Sequence, residues 1–346
     1  MQALILAGGK GTRLRPLTVY TPKPVVPVMN RPFLLYQIEI LAKAGVTDVV
    51  LSLSYQPDKI EDLLGDGSDH GVRLTYITEP NPMGTGGAYR FAADYLTEAT
   101  IVLNGDILTD LDISKLVKFH QKNGSAATLA IKQVDDPTAY GLVETNADAR
   151  IVRFLEKPRS EDAQEIKVNT INAGIYVLEP SILDLIPAGE TRSFEYDVFP
   201  AILEKKLPFL GFPMEKTYWR DLGNPKSYLE AHHDFIGGRI SGFSIDRGET
   251  YDVATAASVD KLSVIGSGCV IKPGARIVRS TLGPGVHVDE KAVIEDSVIW
   301  GHVRISAAAE VRNAVIGRSC FIGRNATVSA GTVLGDKASV PDYSQV

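Results

Sequence analysis

The chain has 346 residues, 44% of them hydrophobic and 23% charged, a balance that excludes a disordered chain and allows two domains with sizeable cores. Lys and Arg number 36 against 42 Asp and Glu, so the net charge is -6, which argues against non-specific nucleic-acid binding and requires any phosphate-rich ligand to be held by a few placed cations. Two cysteines, Cys269 and Cys320, cannot build a zinc site alone and fit a reducing cytosol; no apolar run approaches the roughly 20 residues of a membrane helix.

The opening Met1–Ala7 lacks a basic n-region and stops at glycine, so it reads as a strand and not a signal peptide. Up to about residue 236, short apolar runs alternate with amphipathic segments. Leu4–Ala7, Val49–Leu53, Leu74–Ile77 and Ile101–Leu103 are expected as buried strands; Phe33–Ala44, Lys59–Leu64, Gly86–Asp94 and Ile113–Gln121 carry helical spacing. The alternation predicts β-α-β units and an α/β fold with a Rossmann-like, mixed but mostly parallel sheet. Ala126 to Val177 is richer in strand character. Ser193 can N-cap a helix through about Glu204, and Pro225–Phe235 fits another.

Residues 237–262, with Gly237, Gly238, Gly242 and Gly248, read as a connection. From 263 the period changes. Branched apolar residues fall at 265, 271, 277, then 282, 288, 294, then 299, 305, 311, then 316, 322, 328, 334 and 340, in steps of 6, 6 and 5 that end in a run of sixes. Neither a strand nor a helix has that period; it signals a solenoid whose coils bury their apolar faces only by stacking. Glycine often follows the apolar position, as at Gly266, Gly283, Gly317, Gly323 and Gly335. The stretch resembles the left-handed parallel β-helix of hexapeptide repeats. Cys269 and Cys320 occupy the fifth position of their hexads and are expected in its core. Relatives that transfer acetyl groups use a longer β-helix with catalytic histidines. His287 and His302 lie in the repeats here, but with only about four coils the segment is expected to pack subunits into a homo-oligomer or to carry regulation.

Chemistry concentrates after the first strand, in Leu6-Ala7-Gly8-Gly9-Lys10-Gly11-Thr12-Arg13-Leu14-Arg15-Pro16-Leu17. Glycines let backbone N–H groups approach an anion. A dinucleotide fingerprint would need glycine in place of Leu14, and a P-loop needs Gly-Lys-Ser/Thr. A plain strand-to-helix loop is the alternative. Arg13, Arg15 and Lys23, the last held between Pro22 and Pro24, favour a triphosphate site.

That run, with Pro22-Lys23-Pro24, resembles the signature of the sugar-1-phosphate nucleotidyltransferases. The resemblance continues in order through Gly84-Thr85-Gly86-Gly87-Ala88, Leu103-Asn104-Gly105-Asp106, Tyr140-Gly141, Phe154-Leu155-Glu156-Lys157-Pro158, Asn172-Ala173-Gly174 and Trp219-Arg220-Asp221-Leu222-Gly223. It spans roughly residues 1–235, and the β-helix extends it towards the guanylyltransferase branch that acts on mannose 1-phosphate. The organisation implied is a catalytic domain over 1–236, the connection over 237–262 and a β-helix domain over 263–346.

The resemblance implies that nucleoside triphosphate and sugar 1-phosphate bind together, that a sugar-phosphate oxygen attacks the α-phosphorus, and that pyrophosphate leaves. Such catalysis is positioning and charge neutralisation. Leu6, Ala7, Gly8, Gly9, Gly11, Thr12, Gly84 and Thr85 would line the nucleotide; Arg13 would hold the leaving phosphates and Lys23 the α-phosphate. Asp106 and Asp221 would be the hard-oxygen ligands of Mg²⁺, with capping or solvated roles as the alternative. Lys157 would neutralise the sugar phosphate, while Glu156, Asn172 and the Gly141 backbone meet sugar hydroxyls; a surface Lys–Glu pair is the alternative there. His70, His120, His232 and His233 lack ligand spacing and read as core or surface residues.

Glu79 stands five residues before Gly84, where uridylyl and thymidylyl relatives typically place a glutamine. Guanine offers neighbouring N1–H and 2-amino donors that one carboxylate can accept, so Glu79 favours GTP; a solvated loop residue is the alternative. Thymidylyl or uridylyl transfer to glucose 1-phosphate, GTP with another sugar, and a non-catalytic regulatory subunit remain as other functions. The charged set Arg13, Lys23, Asp106, Lys157 and Asp221, present in full, speaks against the last.

Overall fold

A computed structural model describes residues 1–157 and 168–346 and gathers them into two compact units, residues 1–9 with 36–219 and residues 10–35 with 220–346. Pro158 of the Phe154–Pro158 motif, and the part of the strand-rich stretch over 158–167, lie outside the described residues.

The first unit is built on a nine-stranded sheet. Its strands are β1 (Gln2–Leu6), β2 (Asp48–Leu53), β3 (Arg73–Thr78), β4 (Thr100–Asn104), β5 (Ala127–Gln133), β6 (Leu142–Thr145), β7 (Ile151–Leu155), β8 (Thr170–Leu178) and β9 (Phe209–Pro213). The path runs β7-β6-β8-β4-β1-β2-β3, with β5 beside β8 and β9 beside β5. Strands β1 to β4 pair in parallel, β8 is antiparallel to β4, β5 and β6, and β9 is parallel to β5. The mostly parallel expectation therefore holds for the first half, and β8 turns the second half antiparallel. Ala3, Leu4 and Ile5 of β1 are fully buried, as a central strand covered on both faces requires.

Helices α1 (Leu34–Lys43), α2 (Pro57–Leu64), α3 (Gly84–Phe91), α4 (Ile113–Lys122) and α6 (Pro225–Ile236) fall within three residues of the expected bounds, whereas α5 (Phe199–Glu204) ends where expected but starts later. The segment from Ser193 differs in one respect. Ser193 Oγ accepts from Glu195 N and Tyr196 N, but the capped turn, Phe194–Val198, is a π-turn before α5 begins. Its rings build the core: Phe194 stacks on Phe199 at 5.5 Å, and Tyr176 lies edge-on to both.

The second unit carries the β-helix, three all-parallel sheets of six, five and five strands. One column stacks Ile271, Val288, Ile305, Ile322 and Val340; another Ile277, Ile294, Val311 and Val328; the third Ile265, Leu282, Ile299, Ile316 and Leu334. Cys269 and Cys320 are buried in the same core. The coils begin before residue 263: Asp252–Val253 pairs with Val270–Ile271 and Ser258–Val259 with Arg276–Ile277. Val253 and Val259 carry the six-residue step back into the segment expected as a connection, which therefore spans a shorter stretch. Ser263, Ser280 and Ser297 form a ladder at one corner, each hydroxyl accepting the N–H of the next coil at 3.1 Å, so buried turn amides stay satisfied.

Candidate active site

In the first unit, β1 sits between β2 and β4, so the chain leaves the sheet in opposite directions on either side of the gap between β1 and β4. Ligands of open α/β sheets bind at such a switch point, outside the carboxyl ends of the strands. Gly8 and Gly9 follow β1 there and Asp106 follows β4, with Leu6 registered on Asn104. The turn is tied down by backbone bonds: Gly105 N donates to the Leu6 carbonyl at 2.9 Å, and Ala7 N to that of Ser52 at 2.9 Å. Buried Gln37 of α1 donates through Nε2 to the carbonyls of Asn104 (2.8 Å) and Ile107 (2.9 Å), bracketing the half-buried Asp106. No sequence motif pointed to Gln37, because a mid-helix glutamine carries no signal of its own.

Glu79 is buried, not solvated. Its Oε1 accepts from Ser52 Oγ at 2.9 Å and its Oε2 from Met83 N at 3.0 Å. A β-carbon on Gly8 would lie 2.8 Å from Oε1, so the glycine lets the loop pass against this carboxylate. Thr85 Oγ1 donates to Glu195 Oε2 (2.9 Å) and accepts from Phe194 N (2.8 Å); Gly84 and Thr85 open α3.

Across the same face, a register shift in β8 between Asn172 and Tyr176 re-aims the Asn172-Ala173-Gly174 segment. Asn172 N bonds the Gly141 carbonyl at 2.8 Å, its Nδ2 reaches Tyr176 Oη at 3.0 Å, and its Oδ1 accepts from Gly174 N at 3.0 Å. Trp219 Nε1 donates to the Ala173 carbonyl at 2.9 Å, and its ring meets Tyr140 edge-on at 5.4 Å. Gly141, Glu156 and Asn172 are thereby brought together: a β-carbon on Gly141 would abut the Glu156 carboxylate and stand 2.9 Å from the Phe154 ring. Burial, then the charge of Glu195, raises the Glu156 pKa, opposed by Lys157, whose Nζ is 3.5 Å from Oε1. Lys157 is itself exposed, leaving its ammonium open to an anion. Glu195 escaped the sequence reading because it sits in a turn far from every motif and reaches the site only through tertiary packing.

The second unit holds the other charged residues. Thr18 Oγ1 donates to the Gly11 carbonyl at 2.7 Å, and Gly11, at φ 61°, packs so tightly that a β-carbon would lie 2.9 Å from Lys23 Cβ. Thr12 and Arg13 are exposed and Lys23 is buried. Arg13 and Asp221 converge on Gly223: a β-carbon there would sit 2.9 Å from each Asp221 carboxylate oxygen and 3.0 Å from Arg13 Nη1. Arg220 anchors this segment to α6, giving Asp234 Oδ2 bonds of 2.9 and 2.7 Å and Glu230 Oε2 one of 2.6 Å. Among the described residues, no group of three or more His, Cys, Asp or Glu gathers into a metal cage, and no helix is long and apolar enough to cross a membrane.

The fold is that of a nucleotidyl transferase. The family model described as nucleotidyl transferase matches residues 2–236, and the one described as EIF2B subunit epsilon LbH domain matches 244–346; the chain belongs to the nucleotidyl transferase family. Mannose-1-phosphate guanylyltransferase of Mycobacterium tuberculosis is 38% identical, covering 85% of this chain and 83% of that protein. Mannose-1-phosphate guanyltransferase of Pichia angusta is 36% identical, covering 99% of this chain and 93% of that protein. A crystal structure from Bacillus anthracis, named for glucose-1-phosphate thymidylyltransferase, superposes with a TM-score of 0.62 at 25% identity, over 70% of this chain and 97% of its own.

Proposed function

We propose that the protein transfers a guanylyl group from GTP to mannose 1-phosphate. An oxygen of the sugar phosphate bonds to the α-phosphorus as the bond to the bridging oxygen breaks, and pyrophosphate departs with that electron pair. The observation that carries this reading is the similarity to relatives of that name across both the nucleotidyl transferase part and the coils. The thymidylyltransferase likeness stops at 70% of the chain.

The roles assigned to the residues follow from their chemistry. Arg13 draws charge from the departing phosphates, and Lys23 holds the α-phosphate on a path stiffened by Pro22 and Pro24. Asp106 and Asp221 are the proposed carboxylate ligands of Mg²⁺. With no protein cage of three donors among the described residues, the rest of the shell falls to phosphate oxygens and water, the habit of that cation. The ion supplies neutralisation of triphosphate charge. Lys157 receives the phosphate of the sugar, and Glu156, Asn172 and Gly141 its hydroxyls. Glu79 retains a second lone pair on each oxygen beyond its bonds to Ser52 and Met83, and these accept the guanine donors.

Pyrophosphate release, measured with Mg²⁺ over a grid of nucleoside triphosphates and sugar 1-phosphates, tests the assignment. One dominant response to GTP with mannose 1-phosphate is expected. A response centred on dTTP or UTP with glucose 1-phosphate overturns the substrate pair, and silence overturns the activity.

A further inference from the structure

Trp300 breaks a pattern. After the inward apolar residue of each coil, the third sheet carries Gly266, Gly283, Trp300, Gly317 and Gly335. The glycines are there for lack of room: a β-carbon on Gly266, Gly283 or Gly317 would meet the neighbouring coil's backbone within 2.7 Å. Trp300 is nonetheless only 1% exposed. The outward residues of the same sheet, Val264, Thr281, Val298 and Val315, are also buried, whereas Arg276, His287, Arg304 and Glu310 on the other sheets are exposed. One outer face of the β-helix is thus covered, and residues 10–35 and α6 of the same unit make hydrogen bonds on it.

Those bonds converge on one short hairpin, Pro27–Val28 paired with Arg31–Pro32, which begins four residues after Lys23. Trp300 Nε1 donates to Tyr228 Oη at 2.9 Å, and the Tyr228 hydroxyl donates to the Pro27 carbonyl. The tyrosine and indole rings meet edge-on at 6.4 Å. At the hairpin tip Asn30 Nδ2 donates to the Leu282 carbonyl at 2.9 Å. On the near side Val26 N closes the turn on the Lys23 carbonyl at 3.2 Å. Accepting the indole proton polarises the phenol and strengthens its own donation.

We infer that Trp300 and Tyr228 are positioning residues. They lock the Pro27 carbonyl to the coils, and through it hold Lys23 in place. The coils thereby act on the phosphate-binding segment in addition to building a solenoid. The kinetic part of this inference rests on the proposed nucleotidyl transfer; the structural part does not.

Two readouts separate them. The first is acylation of Lys23 by an amine-reactive reagent in the substrate-free full chain, followed by mass spectrometry against exposed Lys118. Tyr228→Phe and Trp300→Phe should each raise the relative labelling of Lys23 several-fold. Labelling of Lys23 unchanged in Tyr228→Phe, which deletes a single oxygen, overturns the inference whatever the substrates are. The second is steady-state kinetics with the most active substrate pair. Displacing a charged group from its productive position lowers turnover, here by about five- to tenfold, with KM for the sugar phosphate unchanged and the double variant no worse than Tyr228→Phe alone. Loosened Lys23 with unaltered kcat overturns the positioning role, as do losses that multiply in the double variant. Wild-type inactivity with GTP and mannose 1-phosphate would sink the proposed function and leave the labelling result standing.

Discussion

His232 of α6 makes stability in the second unit depend on pH. The ring is 1% exposed, its Nδ1 lies 3.2 Å from Thr281 Oγ1, and it packs edge-on to Tyr228 at 4.9 Å. Burial, with a smaller contribution from neighbouring His233, pushes its pKa from 6.5 down to about 3. The folded chain therefore keeps the ring neutral where the unfolded chain protonates it. Below pH 6.5 the unfolded state binds more protons, so stability falls with pH until about pH 3, where the folded ring titrates too. At about 1.4 kcal/mol per unit, the loss is ~2 kcal/mol between pH 6.5 and 5 and approaches ~5 kcal/mol at pH 3. Against a total of about 5–15 kcal/mol for a typical domain, that is a large fraction. The comparison is His232→Phe, which removes the titration and adds a pH-independent offset for the lost Thr281 contact. Urea unfolding of the full chain, read by Trp300 fluorescence in a Trp219→Phe background at pH 7.5 and 5, should show a loss about 2 kcal/mol greater with His232 in place than in the His232→Phe variant. Parallel losses in the two proteins would refute the argument, since all other titrating groups are common to both.

Asp106→Asn, held by the same Gln37 bracket, should lower pyrophosphate release with Mg²⁺ by more than about a hundredfold with an unchanged far-UV circular dichroism spectrum; persistent turnover removes Asp106 from the metal role. Glu79→Gln should shift the ranking of triphosphates from GTP towards UTP and dTTP, because the amide presents a donor where guanine presents two; an unaltered ranking ends the base-reading role. Ile294→Ala, in the fully buried middle of a coil column, should cost about 2–5 kcal/mol in urea unfolding, and a loss below about 1 kcal/mol would mean the coil collapses around the gap.

Much of the molecule was legible in local pattern. The step of 6, 6 and 5 is a covalent property of the chain, and the columns Ile277–Ile294–Val311 and Ile265–Leu282–Ile299 follow from it once coils stack. The buried run Ala3–Ile5 and the glycines after it placed a central strand and the loop that leaves it, because a strand covered on both faces must be apolar throughout. The start of the solenoid was obscured because Asp252 and Ser258 stand outward beside Val253 and Val259, and two short apolar points among glycines look like a linker.

Tertiary structure decided what depends on pairs distant in sequence. Composition could not show that Glu79 would be buried against Ser52, that Gln37 would bracket Asp106, or that burial, with Glu195 nearby, would raise the Glu156 pKa. Nor could it show that Lys10–Leu35, which carries Arg13 and Lys23, belongs to the compact unit of the coils and not to that of β1. The traces were present in Trp300 among glycines and in the outward Val264, Val298 and Val315, since apolar groups on an outer face imply a cover. Periodicity specifies which residues turn inward within a repeat; only the folded chain brings Pro27, Tyr228 and Trp300 within hydrogen-bonding reach, because their meeting depends on geometry summed over all the chain that separates them.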